Sequence, residues 1–455
     1  MSRTGTIVAL STPPGRSGIG VIRLSGPCSL SITRSLVGEE GFTPEAGRVT
    51  LKKLREPSTG EVLDRALIIL FKAPHSFTGE DVCELSCHGS PVLLRRLIDI
   101  ILGFDARAAA PGEFTFRALA NGRLNLSQAE AVRDLIDAQT NAALRQAARQ
   151  LGGELSARLQ PIKDALLDII VPLESSLEFV EDDLPDIALD AIKAKLAALI
   201  RDIGSLASTF RSGRLLREGV KVTLAGRPNV GKSSVFNKLL HVDRAIVTDI
   251  PGTTRDSLSE LVSIQGVPVL LTDTAGVRAS ADRIESLGIE RTRHAMADAD
   301  IIVVVLDGSQ PLTDEDLEVV GDIAESPHLI ALNKSDLDTF RHNGLEHIDN
   351  GVPVVAISAK TGAGFDELRA AILKPFASPH MQSAGLLITD ARHFDLLRRA
   401  HQSLESSAAL LEQRASEELL LVGLYNALRF LGEITGETTP EDVLSQIFAT
   451  FCIGK

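Results

Sequence analysis

The stretch Gly226-Arg227-Pro228-Asn229-Val230-Gly231-Lys232-Ser233 reads G-x-x-x-x-G-K-[ST], the spacing of a loop that wraps phosphate oxygens. Its glycines let backbone N–H groups turn inward, and the helix that follows adds the positive field of its N-terminus. Lys232 then reaches the β- and γ-phosphates and Ser233 ligates Mg²⁺, with Asn229, Val230, Gly231 and Ser234 completing the cradle. Downstream, Asp273-Thr274-Ala275-Gly276 sets a carboxylate where it can hold Mg²⁺ through its shell and an amide where it can meet the γ-phosphate. Asn333, Lys334 and Asp336 come next, in NKSD. Asp336 is an acceptor-only group suited to the paired N–H donors on guanine's edge, and adenine presents no such pair. Ser358, Ala359 and Lys360 supply a further loop against the base. These motifs, in this order, lead us to expect GTP binding and hydrolysis.

Many GTPases carry a glutamine directly after DTAG to orient the attacking water. This chain has Val277, which cannot hold water. Two features offer a replacement. The side-chain carbonyl of Asn229, with carbonyls from the loop Thr248-Asp249-Ile250-Pro251-Gly252-Thr253, could ligate a monovalent cation against the phosphates. A positive charge at that place is worth about 10³–10⁵ in rate when an arginine supplies it. The second feature is Glu285, among the acids of ADRIESLGIERT, for which the plainer reading is a first-turn helix acid stabilised by the macrodipole.

These residues need a scaffold. The strand KVTLAG precedes the phosphate loop and a helix follows it, and residues 220–376 alternate apolar strands with amphipathic helices, the sign of a parallel sheet with crossovers. On either side the texture is helical: Val132, Leu135, Ile136, Ala143, Ala147 and Leu151 fall at helical spacing, and helical texture returns after Pro375. The acidic EFVEDDLPD interrupts the first block. Residues 1–118 read instead as short strands (TIVAL, GVIRLSG, RALIILFKA, DVCELSCHG) with one helix beginning at Pro91, where Ser90 can cap. The expected fold is multidomain, α/β and α. It comprises an N-terminal α+β module (1–118), a helical domain in two segments (119–217 and 377–455), and a doubly wound P-loop domain (218–376) inserted between them; two separate bundles are the plainer alternative.

The bulk numbers agree with a three-domain chain of 455 residues. The net charge is −13, yet residues 1–118 hold 14 Lys/Arg against 12 Asp/Glu, so the remainder carries −15. A broad electrostatic grip on nucleic acid is not expected, and if RNA is a substrate, a partner or a small basic patch must hold much of it. No signal peptide and no run of about 18 apolar residues is present, and four scattered cysteines fit a reducing cytosol, so a cytoplasmic protein without a membrane span is expected.

Three smaller motifs test other chemistries. PPGRSGIG has its glycines in the reverse of the dinucleotide order and reads as a turn-rich loop. In CELSCH, Cys83 and Cys87 share one strand face and His88 points to the other, so buried packing is favoured over zinc. The terminal Phe451-Cys452-Ile453-Gly454-Lys455 fits a prenylation box only loosely, behind an acidic stretch, which leaves a packed thiol as the serious alternative.

GRPNVGKSS, TDIPGTTRD, DTAGVR, RIESLGIER, NKSD and FCIGK, with the N-terminal TPPGRSGIGVIRLSG, SFTGEDVCELSCHG and PGEFTFRALANGRLNLSQAEAVRDLIDA, resemble the MnmE (TrmE) family of tRNA modification GTPases over nearly the whole chain. The resemblance implies a K⁺-stimulated GTPase whose G domains dimerise during turnover. It puts K⁺ on Asn229, Thr248, Ile250 and Thr253, Mg²⁺ on Ser233 and Thr254, and the water-positioning role on Glu285. It also implies a reduced folate (formyl- or methylene-tetrahydrofolate) on Arg23, Glu84, Arg123 and Lys455, with Cys452 taking part in the chemistry. Arg123 stands where relatives carry lysine, which keeps the charge but alters its geometry. A homodimer would join an FAD-containing MnmG-type partner in a heterotetramer, the flavin being the partner's, to add an aminomethyl or carboxymethylaminomethyl group at carbon 5 of the wobble uridine of certain tRNAs. A ribosome-assembly GTPase would instead need a KH domain, which residues 377–455 lack.

Overall fold

The computed structural model describes residues 5–178, 186–243, 258–273, 296–341, 351–377, 385–439 and 441–454. Of the residues expected to act, Thr248 to Thr254, Thr274 to Val277, Glu285 and Lys455 lie outside the described residues. Two compact units are present: Met1–Ile136 with Ala148–Asp186 and Ala409–Lys455, and Asp137–Ala147 with Ile187–Ala408.

In the first unit, β1 (Thr6–Leu10), β2 (Ile19–Ser25), β3 (Val49–Arg55), β4 (Val62–Phe71), β5 (Val82–His88) and β6 (Ala106–Ala108) form one sheet in the order β3-β4-β5-β2-β1-β6. Only the β1–β6 pair is parallel among them. Alternation sends Ile22, Leu24, Ala66, Ile68, Cys83, Leu85 and Cys87 into a core beneath α1 (Ser29–Val37) and α2 (Pro91–Leu102). Cys83 and Cys87 are thus packing residues, and burial pushes their thiols up to about 11 and about 12.

One helix was expected in residues 1–118, but α1 and α3 (Glu113–Ala120) stand beside α2. The α1 sequence SLSITRSLV is rich in serine and β-branched residues, poor helix formers, so its helicity comes from burying Ile32, Leu36 and Val37 against the sheet. Helix α2 does begin at Pro91, although the Ser90 side chain makes no cap bond. Helix α4 (Leu126–Asp137) follows, and α6 (Glu154–Glu178) runs through Pro161 and Pro172 and packs along α13 (Glu417–Thr435). The last helix, α14 (Glu441–Ala449), buries Phe448 edge-on against Phe116 of α3, with Phe451 beside it.

The second unit starts with the early part of α5 (Asn141–Leu151), then α7 (Asp186–Ser208) and α8 (Phe210–Glu218). Its sheet, β12-β11-β10-β7-β9-β8, uses β7 (Val220–Ala225), β8 (Leu258–Ile264), β9 (Val267–Asp273), β10 (Ile301–Asp307), β11 (His328–Asn333) and β12 (Val354–Ala356). All pairs are parallel except β8–β9. Strand β10, IIVVVLD, is buried at every position, as a central parallel strand covered on both faces must be. Helix α9 (Lys232–Asp243) follows β7, α10 (Asp314–Asp322) crosses from β10 to β11, and α11 (Phe365–Leu373) and α12 (Ala391–Glu412) come after the last strand.

The chain leaves this sheet close to where it came in. Leu215 and Leu216 of α8 and Leu387 from the outgoing segment share the sheet's own core. Arg217 donates to Asp390 at 2.6 Å, and Thr209 Oγ1 accepts the Ile388 N–H at 3.0 Å. Burial alone would raise the Asp390 carboxyl, but the charges of His393 and Arg217 outweigh it and hold the group far below the usual carboxylate range.

Candidate functional site

The phosphate loop spans the end of β7 to the start of α9, the position at which a parallel sheet presents its ligands. Three of its residues have positive φ: Gly226 at 140°, Asn229 at 64° and Gly231 at 99°. Gly231 has a packing reason as well, because a Cβ there would lie 2.4 Å from Asn333 Nδ2. Lys232 Nζ donates to the carbonyls of Gly226 (2.7 Å) and Arg227 (2.8 Å), which keeps the ammonium against the loop it serves. Ser233 Oγ donates to Asp273 Oδ2 at 2.9 Å across 40 residues of chain. A hydroxyl and a carboxylate oxygen so close suit a hard cation, so the described residues fit Mg²⁺.

Asn333 ties the phosphate loop to the base loop. Its Nδ2 donates to Val230 O at 2.9 Å and its Oδ1 accepts the Ala359 N–H at 3.0 Å, with the side chain 3% exposed. Next to it Asp336 accepts from Ser358 Oγ at 2.7 Å, and that bond, helped by the nearby Lys360 charge, lowers its carboxyl below the ordinary value. An ionised, exposed Asp336 is the form that accepts two N–H groups from a guanine edge. Asn333→Ala is expected to free both loops, leaving Val230 O and Ala359 N–H without their bond, and to weaken GTP binding about tenfold or more. Titration with a fluorescent guanine nucleotide measures it, and unchanged affinity would remove the tie from the argument.

Three supports were not legible as function. Arg227, an "x" of the motif, sends Nε to both Asp316 oxygens at 3.1 Å, while Asp316 also closes the capping box of α10 with Thr313. Asp307, at the end of β10, accepts from Lys334 Nζ at 2.6 Å. Burial would raise that carboxyl, but the Lys334 and Ser309 bonds leave it lowered. The available signal was Asp307's place at the carboxyl end of a buried parallel strand.

A second cluster lies in the first unit, where the C-terminal tail returns to the N-terminal sheet. Arg23 Nε donates to Glu84 Oε1 at 2.8 Å, and its Nη1 reaches Gly454 O at 3.3 Å. The pair is about four-fifths buried, with exposures of 19% and 21%, and the guanidinium lies 5.7 Å from the Phe114 ring centroid. Gly112 N donates to Cys452 O at 3.3 Å, while the Cys452 residue remains exposed. Arg123 is exposed after α3, beside Gly79, and among the described residues makes no hydrogen bond or ion pair with Arg23 or Glu84. An arginine–carboxylate pair held in a recess can both donate to and accept from a heterocycle with amide-like edges, so these residues fit a reduced pterin.

The doubly wound sheet, the lysine-bearing phosphate loop and the Asp336–Ser358 base loop define a guanine-nucleotide-binding P-loop protein. The chain matches the family described as MnmE helical domain over residues 126–452 and that described as GTP-binding protein TrmE N-terminus over 6–123. It belongs to the MnmE family of tRNA modification GTPases. It is 45% identical to the tRNA modification GTPase MnmE of Koribacter versatilis, covering 100% of both chains, and 43% identical to that of Aquifex aeolicus, covering 99% of both. The G domain of the T. maritima FeoB iron transporter is similar at 30% identity, over 35% of this chain and 99% of that one, with a TM-score of 0.27 that adds nothing to the fold argument. The protein is therefore a GTP hydrolase acting in tRNA modification, with the expected multidomain architecture. Among the described residues, no helix is long and apolar enough to cross a membrane.

Proposed function

We propose that this chain is a K⁺-activated GTPase which, with an FAD-dependent MnmG-type partner, modifies carbon 5 of the wobble uridine of certain tRNAs using a folate-derived one-carbon unit. The reading rests on the tail. An exposed thiol, Cys452, is tethered two residues from a carbonyl that bonds Arg23 of a recessed Arg23–Glu84 pair, so a nucleophile or proton carrier stands beside a pair suited to a pterin. Arg123 and Lys455 would bring positive charge to the folate carboxylates.

In the G domain, residues 218–376, Ser233 and Thr254 would hold Mg²⁺, which neutralises charge developing on the phosphates when bound. Asn229, Thr248, Ile250 and Thr253 would hold K⁺, and Glu285 would orient the attacking water. Lys232 anchors the β- and γ-phosphates, and Asp336 with Ser358, Ala359 and Lys360 selects guanine. The rest of the chain divides into the N-terminal module 1–118 and the helical segments 119–217 and 377–455. The assembly is a cytoplasmic homodimer within a heterotetramer, and nucleotide hydrolysis switches it between joined and separated G domains. Nucleoside analysis of tRNA from a strain lacking the chain tests the reading: the 5-substituted wobble uridine should be missing, and a normal profile would refute it.

A further inference from the structure

The open face of the N-terminal sheet has a basic end. Near one end, Lys53 of β3 stands directly across from Arg65 of β4, both exposed and neither with an ion-pair partner among the described residues. Like charges in direct opposition destabilise a sheet, so their pairing calls for a reason. An edge lysine guards against strand addition, which would account for Lys53. It does not account for Arg65, because β4 lies inside the sheet between β3 and β5.

More positive charge gathers at the same end. Ser17 N bonds Gly89 O at 3.1 Å, which brings the exposed Arg16 to the end of β5, and Arg95 is exposed on the first turns of α2. The neighbouring acids are already engaged: Asp64 takes His88 at 2.7 Å, and Glu56 takes Arg96 at 2.7 Å. Two exposed acids remain nearby, Glu61 in the turn between β3 and β4 and Asp99, one helical turn along α2 from Arg95. The cluster lies in the one portion of the chain with a positive balance, on a protein of net charge −13 whose substrate is a polyanion.

We infer that this end of the sheet, through Arg16, Lys53, Arg65 and Arg95, receives phosphates of the tRNA backbone. Such contacts hold and orient RNA without reading its sequence. The register gives them a direction. Ile19 pairs with His88 and Arg23 pairs with Glu84, so the basic end and the Cys452 corner are four residues apart along the strands, about 13 Å. A nucleotide splayed from a loop whose backbone is held at the basic end would extend towards that corner. This direction, though not the phosphate contact itself, depends on the proposed role of Arg23, Glu84 and Cys452.

The test is binding of an anticodon stem–loop RNA to the full chain, followed by fluorescence anisotropy from 50 to 200 mM KCl. Lys53→Ala/Arg65→Ala should weaken binding about tenfold and flatten the log K against log salt slope by about 1.4–1.8, two phosphate contacts' worth. GTP turnover and folate binding should not change, and Lys53→Arg/Arg65→Lys should retain the slope. Lys193→Ala/Lys195→Ala, two exposed lysines on α7, should leave the slope alone. The inference is overturned if the first variant keeps the wild-type slope, if the α7 variant loses as much, or if the wild-type chain binds no RNA at 50 mM salt. Loss of folate binding by the wild-type chain would count against the one-carbon reading and leave this result standing.

Discussion

Replacing K⁺ by Na⁺ at constant ionic strength is expected to slow GTP turnover by up to about 10³-fold, the lower end of what an arginine supplies at this position. The reason begins with Val277, where other GTPases place a water-holding glutamine, so the catalytic group must come from elsewhere, and a cation against the phosphates supplies charge stabilisation. Asn229 is the described residue expected to ligate the cation, and its φ of 64° is a left-handed conformation that asparagine accepts better than most residues. Asn229→Ala should remove the difference between the two salts. Because alanine is strained at that φ, Asn229→Gly is the cleaner variant: it keeps the backbone and loses only the side-chain carbonyl. Turnover in each salt for the three proteins measures the effect, and equal wild-type rates in K⁺ and Na⁺ would end the cation reading.

Cys452→Ser is expected to abolish wobble-uridine modification while GTP turnover stays at the wild-type rate. The substitution barely changes shape, but a hydroxyl is a far weaker acid and nucleophile than a thiol at neutral pH. Packing offers no alternative source for a large loss, since the residue is exposed and its neighbours Phe448 and Phe451 do the anchoring. Gly454 supplies a companion. At φ 97°, a Cβ there would lie 2.7 Å from Leu10 O, so Gly454→Ala should lift the tail and reduce modification with the thiol intact. Wobble nucleosides from cells carrying each variant decide the matter, and normal modification by Cys452→Ser would exclude a chemical role.

The phosphate loop, the guanine motif and the family were legible in the residues alone, because phosphate binding depends on consecutive backbone N–H groups whose geometry is set by glycines at fixed spacing. Strands such as TIVAL and KVTLAG were equally open, since their apolar runs are short and bounded. Helix α1 was not, because its propensity argues against a helix and only burial of Ile32 and Leu36 overrules it.

What tertiary structure alone decided were the convergences. Asn333 meets Val230 across 103 positions, Arg227 meets Asp316 across 89, and Arg23 meets Gly454 across 431. Lys53 faces Arg65 only because the β3–β4 register puts them opposite, and a slip of one residue would turn them to different faces. Local motifs encode their own backbone, whereas these contacts depend on how crossovers and strand registers bring distant side chains to one place.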